Sequence, residues 1–372
     1  MKRIFLVAGE SSGDIHGGNL VRALREADPD AFCEGLGGRH MAEAGMALRH
    51  NLAERGIMGF TEVVQSLRYL RRLYYDTVNH LARTRPSCLV LIDYPGFNLR
   101  LAKTAKQLGI PVVYYISPQV WAWKRKRIHT LARTVDKMLV ILPFEERLYR
   151  EVGLDCVYVG HPLLDYIASV PVQGVFRGDC IIGLMPGSRA QEIRRLMPLM
   201  LQVAQEIQHT YPEARFITPC VDTAREAQVR AAAGDFPLET VVGQTYELLD
   251  GARFCLVASG TATLEAALFR VPMAVVYKVS PLSFWIARRL VRVEHIALAN
   301  ILAEKQIVPE FVQGEASMQN VTPAALELLE DTPRRASVLT EYARLREKLG
   351  ETGASRKAAA GVLEVAKRGS DV

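Results

Sequence analysis

Short apolar runs alternate with helix-like stretches along most of the chain, and this alternation is the feature that most restricts its fold. Runs such as RIFLVA (3–8), CLVLI (88–92) and KMLVIL (137–142) are rich in Val, Ile and Leu, and each is followed by a stretch with helical spacing. Strands that are apolar on both faces and alternate with helices indicate parallel βαβ units, in which helices cover both faces of a sheet.

The alternation weakens at residues 168–179 (ASVPVQGVFRGD) and then restarts at CIIGLMPGSR. A length of 372 residues is enough for about two domains. We therefore expect an α/β fold of two Rossmann-like, doubly wound domains that face each other across a cleft, followed by C-terminal helices. The expected boundaries are 1–170 and 171–335, with helices of 336–372 packing back on an N-terminal domain of the same or a partner subunit.

The composition restricts the cellular compartment in which the protein works and the kinds of partner that it can bind. The six cysteines form no C-x-x-C pair and lie mostly in apolar runs, which is typical of free thiols in a reducing cytoplasm. The apolar part of the N-terminus is too short for a signal peptide, and no apolar run reaches the ~18 residues that span a bilayer. We expect a cytoplasmic protein. Its net charge of +6 favours anionic partners in general, but Lys and Arg are scattered and no nucleic-acid module is recognisable, which argues against nucleic acid.

The segment VAGESSGDIHGG (7–18) follows the first predicted strand and is rich in Gly and Ser. It lacks both the dinucleotide fingerprint and the P-loop pattern, and it carries Glu10, Asp14 and His16. We therefore expect this segment to serve a second substrate rather than the nucleotide, with the alternative that Asp14 only caps the helix that follows.

Two strand-to-helix turns in the second half have the properties of a nucleotide site. PGSR (186–189) and SGT (259–261) each place Gly and a hydroxyl residue where a helix begins, so that free N–H groups can bind a phosphate. The alternatives are a plain turn with a solvated Arg, and a Glu that merely favours the helix dipole. The residues expected at the nucleotide are Gly187, Ser188, Arg189, Ser259, Gly260, Thr261 and Glu265.

Eight motifs in order cover most of the chain, and together they resemble the bacterial lipid-A-disaccharide synthase family, which consists of inverting GT-B glycosyltransferases. The motifs are GESSGDIHGG, GIMGFTEV, LIDYPGFN, ISPQVWAWKRKRI, YVGHPLLD, LMPGSR, SGTATLEAAL and LANIL. The resemblance implies that UDP binds the C-terminal domain and that UDP-2,3-diacylglucosamine is joined to 2,3-diacylglucosamine 1-phosphate through a β-1′,6 linkage, with release of UDP. It implies no cofactor and no metal. It also places Asn300 and Gln313 near the nucleotide.

The resemblance further implies that Asp93 is the base that accepts the proton of the attacking hydroxyl, with a residue of the N-terminal loop as the alternative base. Glu10 and Asp14 would then face the sugar hydroxyls of the acceptor, and His16 would contact its phosphate or orient Asp93. From the sequence alone, Asp93 could equally form a turn or cap the helix that follows, with Asn98 as the rival N-cap. A carboxylate with its ordinary pKa near 4 is a weak base unless burial raises that pKa. His161, in the GHP turn, stays a minor candidate because such turns are usually structural.

Segment 61–78 has apolar residues at helical spacing flanked by Arg68, Arg71 and Arg72. A basic amphipathic helix of this kind is typical of proteins that bind a membrane surface, and the alternative is a helix packed on its own sheet. The tryptophans and cations of VWAWKRKRI also suit the anionic lipids of the inner membrane, with which we expect peripheral association. The expected membrane or acyl contacts are Val63, Val64, Leu67, Leu70 and Tyr74.

Two further expectations complete the prediction. The C-terminal helices could exchange between two copies and form a homodimer. The alternative function is a GT-B enzyme, either a transferase or an epimerase, that uses UDP-GlcNAc with a substrate that is not a lipid.

Overall fold

The computed structural model describes residues 2–52, 60–122, 126–170, 174–178, 180–281, 284–285, 289 and 294–370, and for residues 11, 60–67 and 370 it describes the backbone alone. The chain divides into two compact units. The first unit consists of Met1–Tyr166 and Glu351–Val372, and the second of Ile167–Gly350.

Within its described residues, the first unit contains a seven-stranded parallel sheet of order β3-β2-β1-β4-β5-β6-β7. The strands are β1 Arg3–Ala8, β2 Phe32–Gly37, β3 Ala47–Asn51, β4 Cys88–Ile92, β5 Val112–Tyr115, β6 Lys137–Val140 and β7 Cys156–Tyr158. The helices are α1 Ser11–Ala27, α2 Arg39–Glu43, α3 Phe60–Thr84, α4 Pro95–Gln107, α5 Arg127–Thr134, α6 Pro143–Arg150 and α7 Pro162–Ser169, followed at the end of the chain by α15 Ala354–Ser370.

Both faces of this sheet are buried, as the uninterrupted apolar runs predict. In β1, Ile4 and Leu6 belong to the core on one face, and Phe5 and Val7 belong to the core on the other face. Successive side chains of a strand point to opposite faces, so a strand that is covered on both sides must be apolar throughout.

The second unit has a six-stranded parallel sheet among its described residues, of order β10-β9-β8-β11-β12-β13. Its strands are β8 Ile181–Met185, β9 Arg215–Cys220, β10 Leu238–Val242, β11 Phe254–Ala258, β12 Met273–Tyr277 and β13 Glu310–Val312. Its helices are α8 Ala190–Thr210, α9 Thr223–Ala233, α10 Thr245–Gly251, α11 Thr261–Leu268, α12 Leu298–Ala303, α13 Met318–Leu329 and α14 Pro333–Leu349.

The boundaries of the units differ from the expected ones at α14. This helix, expected among the helices that return to an N-terminal domain, packs in the second unit, where Tyr342 and Leu345 are buried. At its first turn, Arg335 Nη1 donates a hydrogen bond to the carbonyl of Arg253 at 3.0 Å. Helical spacing predicts which face of a helix is buried but not which core it joins.

The last helix, α15, returns to the first unit. Ala359 and Val362 are buried in the same core as Ile4. The carboxylate of Asp165 accepts hydrogen bonds from the backbone N–H of Gly353 at 2.5 Å and of Ser355 at 3.0 Å, at the start of α15. The core of the first unit is therefore completed by the end of the chain.

The six cysteines are all buried and unpaired, as the sequence indicates. Among the described residues, none of the helices combines the length and the apolar character that crossing a bilayer requires.

Candidate functional site

In each sheet, the strand order reverses direction next to the first strand of the unit. In the first sheet this point lies between β1 and β4, which pair from Ile4 with Cys88 to Ala8 with Ile92. Ligands of doubly wound sheets bind beyond the carboxyl ends of the strands at such a switch point. Glu10 follows β1 and Asp93 follows β4, so the structure brings these two predicted residues to one edge of the first sheet.

The backbone at Asp93 is held in an uncommon conformation. Asp93 and Tyr94 have φ angles of +45° and +47°, in the left-handed region that residues other than glycine seldom adopt. The carbonyl of Asp93 accepts hydrogen bonds from Tyr114 Oη at 2.6 Å and from Asn98 Nδ2 at 2.7 Å. A Cβ at Gly9 would lie 2.3 Å from the Tyr94 ring, so this position needs a glycine. Neighbouring side chains thus fix the main chain of Asp93, and strain of this kind is concentrated at functional sites.

The carboxyl of Asp93 is a stronger base than an ordinary aspartate. Burial raises its pKa to about 6, the negative charge of Glu10 adds to the rise, and a backbone hydrogen bond at Tyr94 opposes it. A base of this pKa is mostly ionised at neutral pH and is poised to accept a proton. Asn98 is not the N-cap of α4, since it lies inside the helix and binds the carbonyls of Ile92 and Asp93.

The structure corrects the expectation for Asp14. Its carboxylate is buried and accepts three hydrogen bonds from the backbone N–H groups of Gly38, His40 and Met41, at 2.8, 2.9 and 3.1 Å. These groups are free donors at the start of α2, and an anion stabilises such an end. Asp14 therefore caps a helix, though not its own, and both of its oxygens are occupied.

His16 and His161, the two histidines among the predicted site residues, are uncharged at neutral pH. Burial lowers the pKa of His16 to about 4, and burial together with His16 lowers the pKa of His161 to about 3. His161 Nδ1 accepts a hydrogen bond from the N–H of Leu163 at 3.2 Å, as expected of a structural turn. A neutral imidazole at His16 brings no charge to a phosphate but can still donate a hydrogen bond, so the expected contact of His16 with the acceptor phosphate or with Asp93 stays a prediction.

In the second sheet the switch point lies between β8 and β11, which pair from Ile182 with Phe254 to Met185 with Val257. The two predicted phosphate-binding turns follow these strands, so they share one edge of this sheet. The N-terminal ends of α8 and α11 begin there, each with free N–H groups.

The first of these turns depends on Gly187 and on a residue that the sequence analysis missed. Gly187 has a φ of +102°, and a Cβ there would lie 2.3 Å from Glu192 Oε2. Glu192 accepts hydrogen bonds from the backbone N–H of Arg189 at 3.1 Å and from its Nη1 at 3.2 Å. The Arg189 side chain is 73% exposed and Ser188 is exposed, so both are accessible to a ligand. Glu192, three residues after Arg189 at the start of a helix, is recognisable in the sequence as a capping residue.

The second turn has both structural and accessible groups. Ser259 Oγ donates to the carbonyl of Ile296 at 2.8 Å, whereas Gly260 and Thr261 are exposed at the start of α11. Glu265 Oε1 accepts a hydrogen bond from Tyr246 Oη at 3.0 Å, and burial raises the pKa of this carboxyl. Glu265 is thus not a solvated surface residue, and it keeps a second oxygen for a further donor.

The structure also shows what the side chains of Asn300 and Gln313 bind. Asn300 is fully buried, donates to the carbonyl of Val308 and to Glu310 Oε1, and accepts from the N–H groups of Ile307 and Val308. Gln313 bonds both the N–H and the carbonyl of Val279, at 2.8 and 3.2 Å. Both amides are engaged in holding the main chain, which the sequence did not predict, and their expected contact with a nucleotide stays a prediction.

Helix α3 contains the segment expected at the membrane. Leu70 and Tyr74 pack against the core of the first unit, and Tyr74 Oη lies 2.6 Å from Thr104 Oγ1, so these two side chains face inward rather than toward acyl chains. The side chains of Val63, Val64 and Leu67 lie outside the described residues, as does segment 123–125. The outward face carries Arg68, Arg71, Arg72 and Tyr75.

Within the described residues, no group of three or more His, Cys, Asp and Glu side chains is placed to hold a metal ion. A buried carboxyl that the sequence analysis did not single out, Glu145 on α6, lies in the first unit close enough to Asp93 for the charge of Asp93 to raise its pKa. Its helical segment EERLYREVG resembles a solvated helix, and the sequence offers no clear signal of the burial.

Comparisons with known proteins agree with this architecture. A family model described as lipid-A-disaccharide synthetase matches residues 4–365. The lipid-A-disaccharide synthase of Syntrophus aciditrophicus is 40% identical, with 99% of this chain and 98% of that protein covered. That of Geobacter metallireducens is 38% identical, with 98% and 97% covered.

Among solved structures, the UDP-GlcNAc 2-epimerase of Neisseria meningitidis, solved with UDP-GlcNAc bound, matches with a TM-score of 0.68 at 11% identity, covering 98% of this chain and all of that one. The calicheamicin glycosyltransferase CalG4 matches with a TM-score of 0.59 at 14% identity, covering 99% of both chains. At such identities the likeness shows the fold alone, which is the α/β, two-unit fold that GT-B glycosyltransferases and epimerases share.

Proposed function

The chain belongs to the lipid-A-disaccharide synthase family and is a glycosyltransferase, and on this premise we propose that it joins UDP-2,3-diacylglucosamine to 2,3-diacylglucosamine 1-phosphate. The products are the β-1′,6-linked disaccharide 1-phosphate and UDP. The observation that carries the proposal is the carboxyl of Asp93, which lies at the switch point of the first sheet with its pKa raised to about 6.

In the proposed reaction, the Asp93 carboxylate accepts the proton of the acceptor 6-hydroxyl while that oxygen attacks the anomeric carbon of the donor. The bond between the anomeric carbon and the phosphate oxygen breaks, and its electron pair leaves with UDP, so the anomeric centre is inverted. A pKa two units above the ordinary aspartate value makes the base about 100-fold stronger, and it is still mostly ionised at neutral pH.

We propose that UDP is bound at the corresponding edge of the second sheet. The free N–H groups of α8 and α11, together with the exposed Arg189, stabilise the charge that develops on the leaving diphosphate. Glu265, oriented by Tyr246, accepts hydrogen bonds from the ribose hydroxyls. Asn300 and Gln313 support this site indirectly, because their hydrogen bonds hold the main chain at this edge of the sheet.

The acyl chains of both substrates require a membrane, and we propose that the outward face of α3 contacts its anionic headgroups. Arg68, Arg71 and Arg72 supply positive charge, and Tyr75, which is 53% exposed and lies 5.9 Å from the guanidinium of Arg71, supplies an aromatic ring at the interface. Association of this kind is peripheral and places the enzyme at the cytoplasmic surface of the inner membrane.

Sedimentation with vesicles tests this contact. The variant Arg68→Gln/Arg71→Gln should bind vesicles with 30% anionic lipid several-fold more weakly than the wild type, with the difference vanishing at high salt. Arg22→Gln/Arg147→Gln, which removes two exposed charges elsewhere in the first unit, is the matched control. Equal loss in both variants would mean that net charge alone governs binding.

The central experiment incubates the protein with both acylated substrates and detects the disaccharide 1-phosphate by mass spectrometry and UDP by a coupled assay. Asp93→Asn should lose at least about 100-fold in turnover, whereas Asp250→Asn, at an exposed carboxyl of α10, should keep it. Transfer to an unacylated acceptor, or interconversion of UDP-GlcNAc and its 2-epimer, would favour the alternative enzyme.

The exchange of C-terminal helices between two copies stays a prediction. Within one chain, α15 packs on its own first unit. Light scattering at several protein concentrations tests whether a dimer forms.

A further inference from the structure

The segment that leaves β5, residues 116–122, begins beside Asp93. We call it the β5 loop. β4 and β5 are paired, and the N–H of Asp93 donates to the carbonyl of Tyr115 at 3.1 Å. Ile116, a β-branched residue, has a φ of +63°, and its N–H donates to Leu139 O at 3.0 Å. A β-branched residue adopts this conformation only where its surroundings enforce it.

Glu145, on α6, binds the residues that follow Ile116. Its Oε1 accepts hydrogen bonds from Ser117 Oγ at 2.5 Å and from Trp121 Nε1 at 3.1 Å, and its Oε2 accepts one from the N–H of Leu142 at 3.4 Å. The residue is 1% exposed. Burying a carboxyl is unfavourable unless hydrogen bonds compensate for the lost water, and here both ends of the loop provide the donors.

Further contacts attach the β5 loop to α6. The Trp121 and Phe144 rings pack edge to face with centroids 5.3 Å apart, and Tyr149 Oη donates to the carbonyl of Pro118 at 3.3 Å. Of the side chains from Ser117 to Ala122, which the structure describes throughout, Gln119 is the exposed one. The attachment therefore presents Gln119 at the sheet edge that carries Asp93.

Glu145 and Asp93 also interact through their charges. Burial raises the pKa of Glu145 to about 7, its hydrogen bonds oppose the rise, and the charge of Asp93 adds to it. With a pKa of about 7, Glu145 is mostly protonated at the pH near 6 at which Asp93 ionises, so the charge of Glu145 has little effect on that ionisation. Tyr149 and Cys156 also interact with the charge of Glu145, but both have raised pKa values, to about 12 for Cys156, and stay neutral below pH 9.

We propose that Glu145 is a positioning residue of the transfer reaction, which fixes the β5 loop beside Asp93 through its hydrogen bonds to Ser117 and Trp121. The proposal rests on the proposed function for its kinetic consequences, but the contact itself is testable without any substrate.

The substrate-free test uses the fluorescence of Trp121 in a chain with Trp123→Phe and Trp285→Phe, which leaves Trp121 as its single tryptophan. Because an ionised carboxylate at the indole N–H alters emission, the signal should titrate with a midpoint near pH 7. The same chain with Glu145→Gln should give a flat signal between pH 5 and pH 9. An unchanged titration in Glu145→Gln would overturn the proposal, even if the transferase activity were absent.

The kinetic test removes the hydrogen bonds of Glu145 in steps. Glu145→Gln keeps an oxygen for Ser117 and Trp121, so kcat should stay within about two-fold of the wild type, whereas Glu145→Ala, which removes both hydrogen bonds, should lose about ten-fold or more in kcat. Ser117→Ala removes one attachment of the loop, so kcat should fall several-fold, by less than in Glu145→Ala.

Glu146→Gln, one residue along α6 and paired with Arg150 at the surface, is the matched control and should not change kcat. An unchanged kcat in Glu145→Ala, or an equal fall in Glu146→Gln, would contradict the role.

Discussion

Replacing Asp93 by Asn should stabilise the protein while it abolishes catalysis. In the folded chain, burial and the charge of Glu10 raise the pKa of Asp93 from 3.8 to about 6. The unfolded chain therefore releases this proton at lower pH than the folded chain does. As the pH rises between these two values, the native state loses stability, and above pH 6 the loss is complete. Because Asn is never ionised, the Asp93→Asn variant does not lose this stability.

The magnitude follows from the shift. About two pKa units correspond to about 3 kcal/mol, and partial exposure to water lowers this, so we expect a gain of about 1–3 kcal/mol at pH 8. The gain should shrink toward zero as the pH falls to 4. Asn is among the residues that best tolerate a left-handed backbone, so the φ of +45° at this position adds little cost.

Equilibrium urea unfolding at pH 4, 6 and 8, followed by circular dichroism, measures the difference, and UDP release measures turnover. Asp250→Asn, at an exposed carboxyl, should show no pH-dependent gain. A gain for Asp93→Asn that is equal at pH 4 and pH 8 would refute the reasoning, since it could not arise from ionisation. Retained turnover would refute the assignment of the base.

Three further changes test individual side chains. Glu10→Gln should lower the pKa of Asp93, so the acid limb of kcat/KM, followed as UDP release from pH 5 to pH 8, should move to lower pH; movement to higher pH would contradict this. Arg189→Ala should weaken UDP binding about 10-fold or more by calorimetry with an unchanged melting temperature, because the side chain is exposed. Asn300→Ala should lower the free energy of unfolding by about 2–4 kcal/mol and leave the UDP affinity of the folded protein unchanged. Loss of UDP affinity at unchanged stability would instead support direct contact by Asn300.

The sequence predicts the α/β class and the two Rossmann-like sheets because both depend on local patterns. An uninterrupted apolar run such as CLVLI can be satisfied only in a strand that is covered on both faces. The same argument fails for α14, since its apolar spacing is equally compatible with either core. Which core it joins depends on contacts such as that of Arg335 with Arg253, 82 residues away in the chain.

The residues of the candidate site also differ in whether the sequence predicts their positions. Asp93 and Glu10 are predictable as neighbours because the carboxyl ends of parallel strands share an edge. Asp14 is not predictable as a cap of α2, because its partners lie 24 to 27 residues further along the chain. Glu145 is a similar case, because Ser117 and Trp121, which bind its carboxylate, lie 28 and 24 residues away in the chain.

The path of the last helix has a consequence for synthesis on the ribosome. The first unit lacks part of its core until Ala354–Ser370 is available, and these residues are synthesised after the whole of the second unit. The half of the molecule that is translated first should therefore be the last to reach its native state. A stop codon near residue 350 should leave a nascent polypeptide whose amino-terminal half is sensitive to protease while the half translated later is resistant.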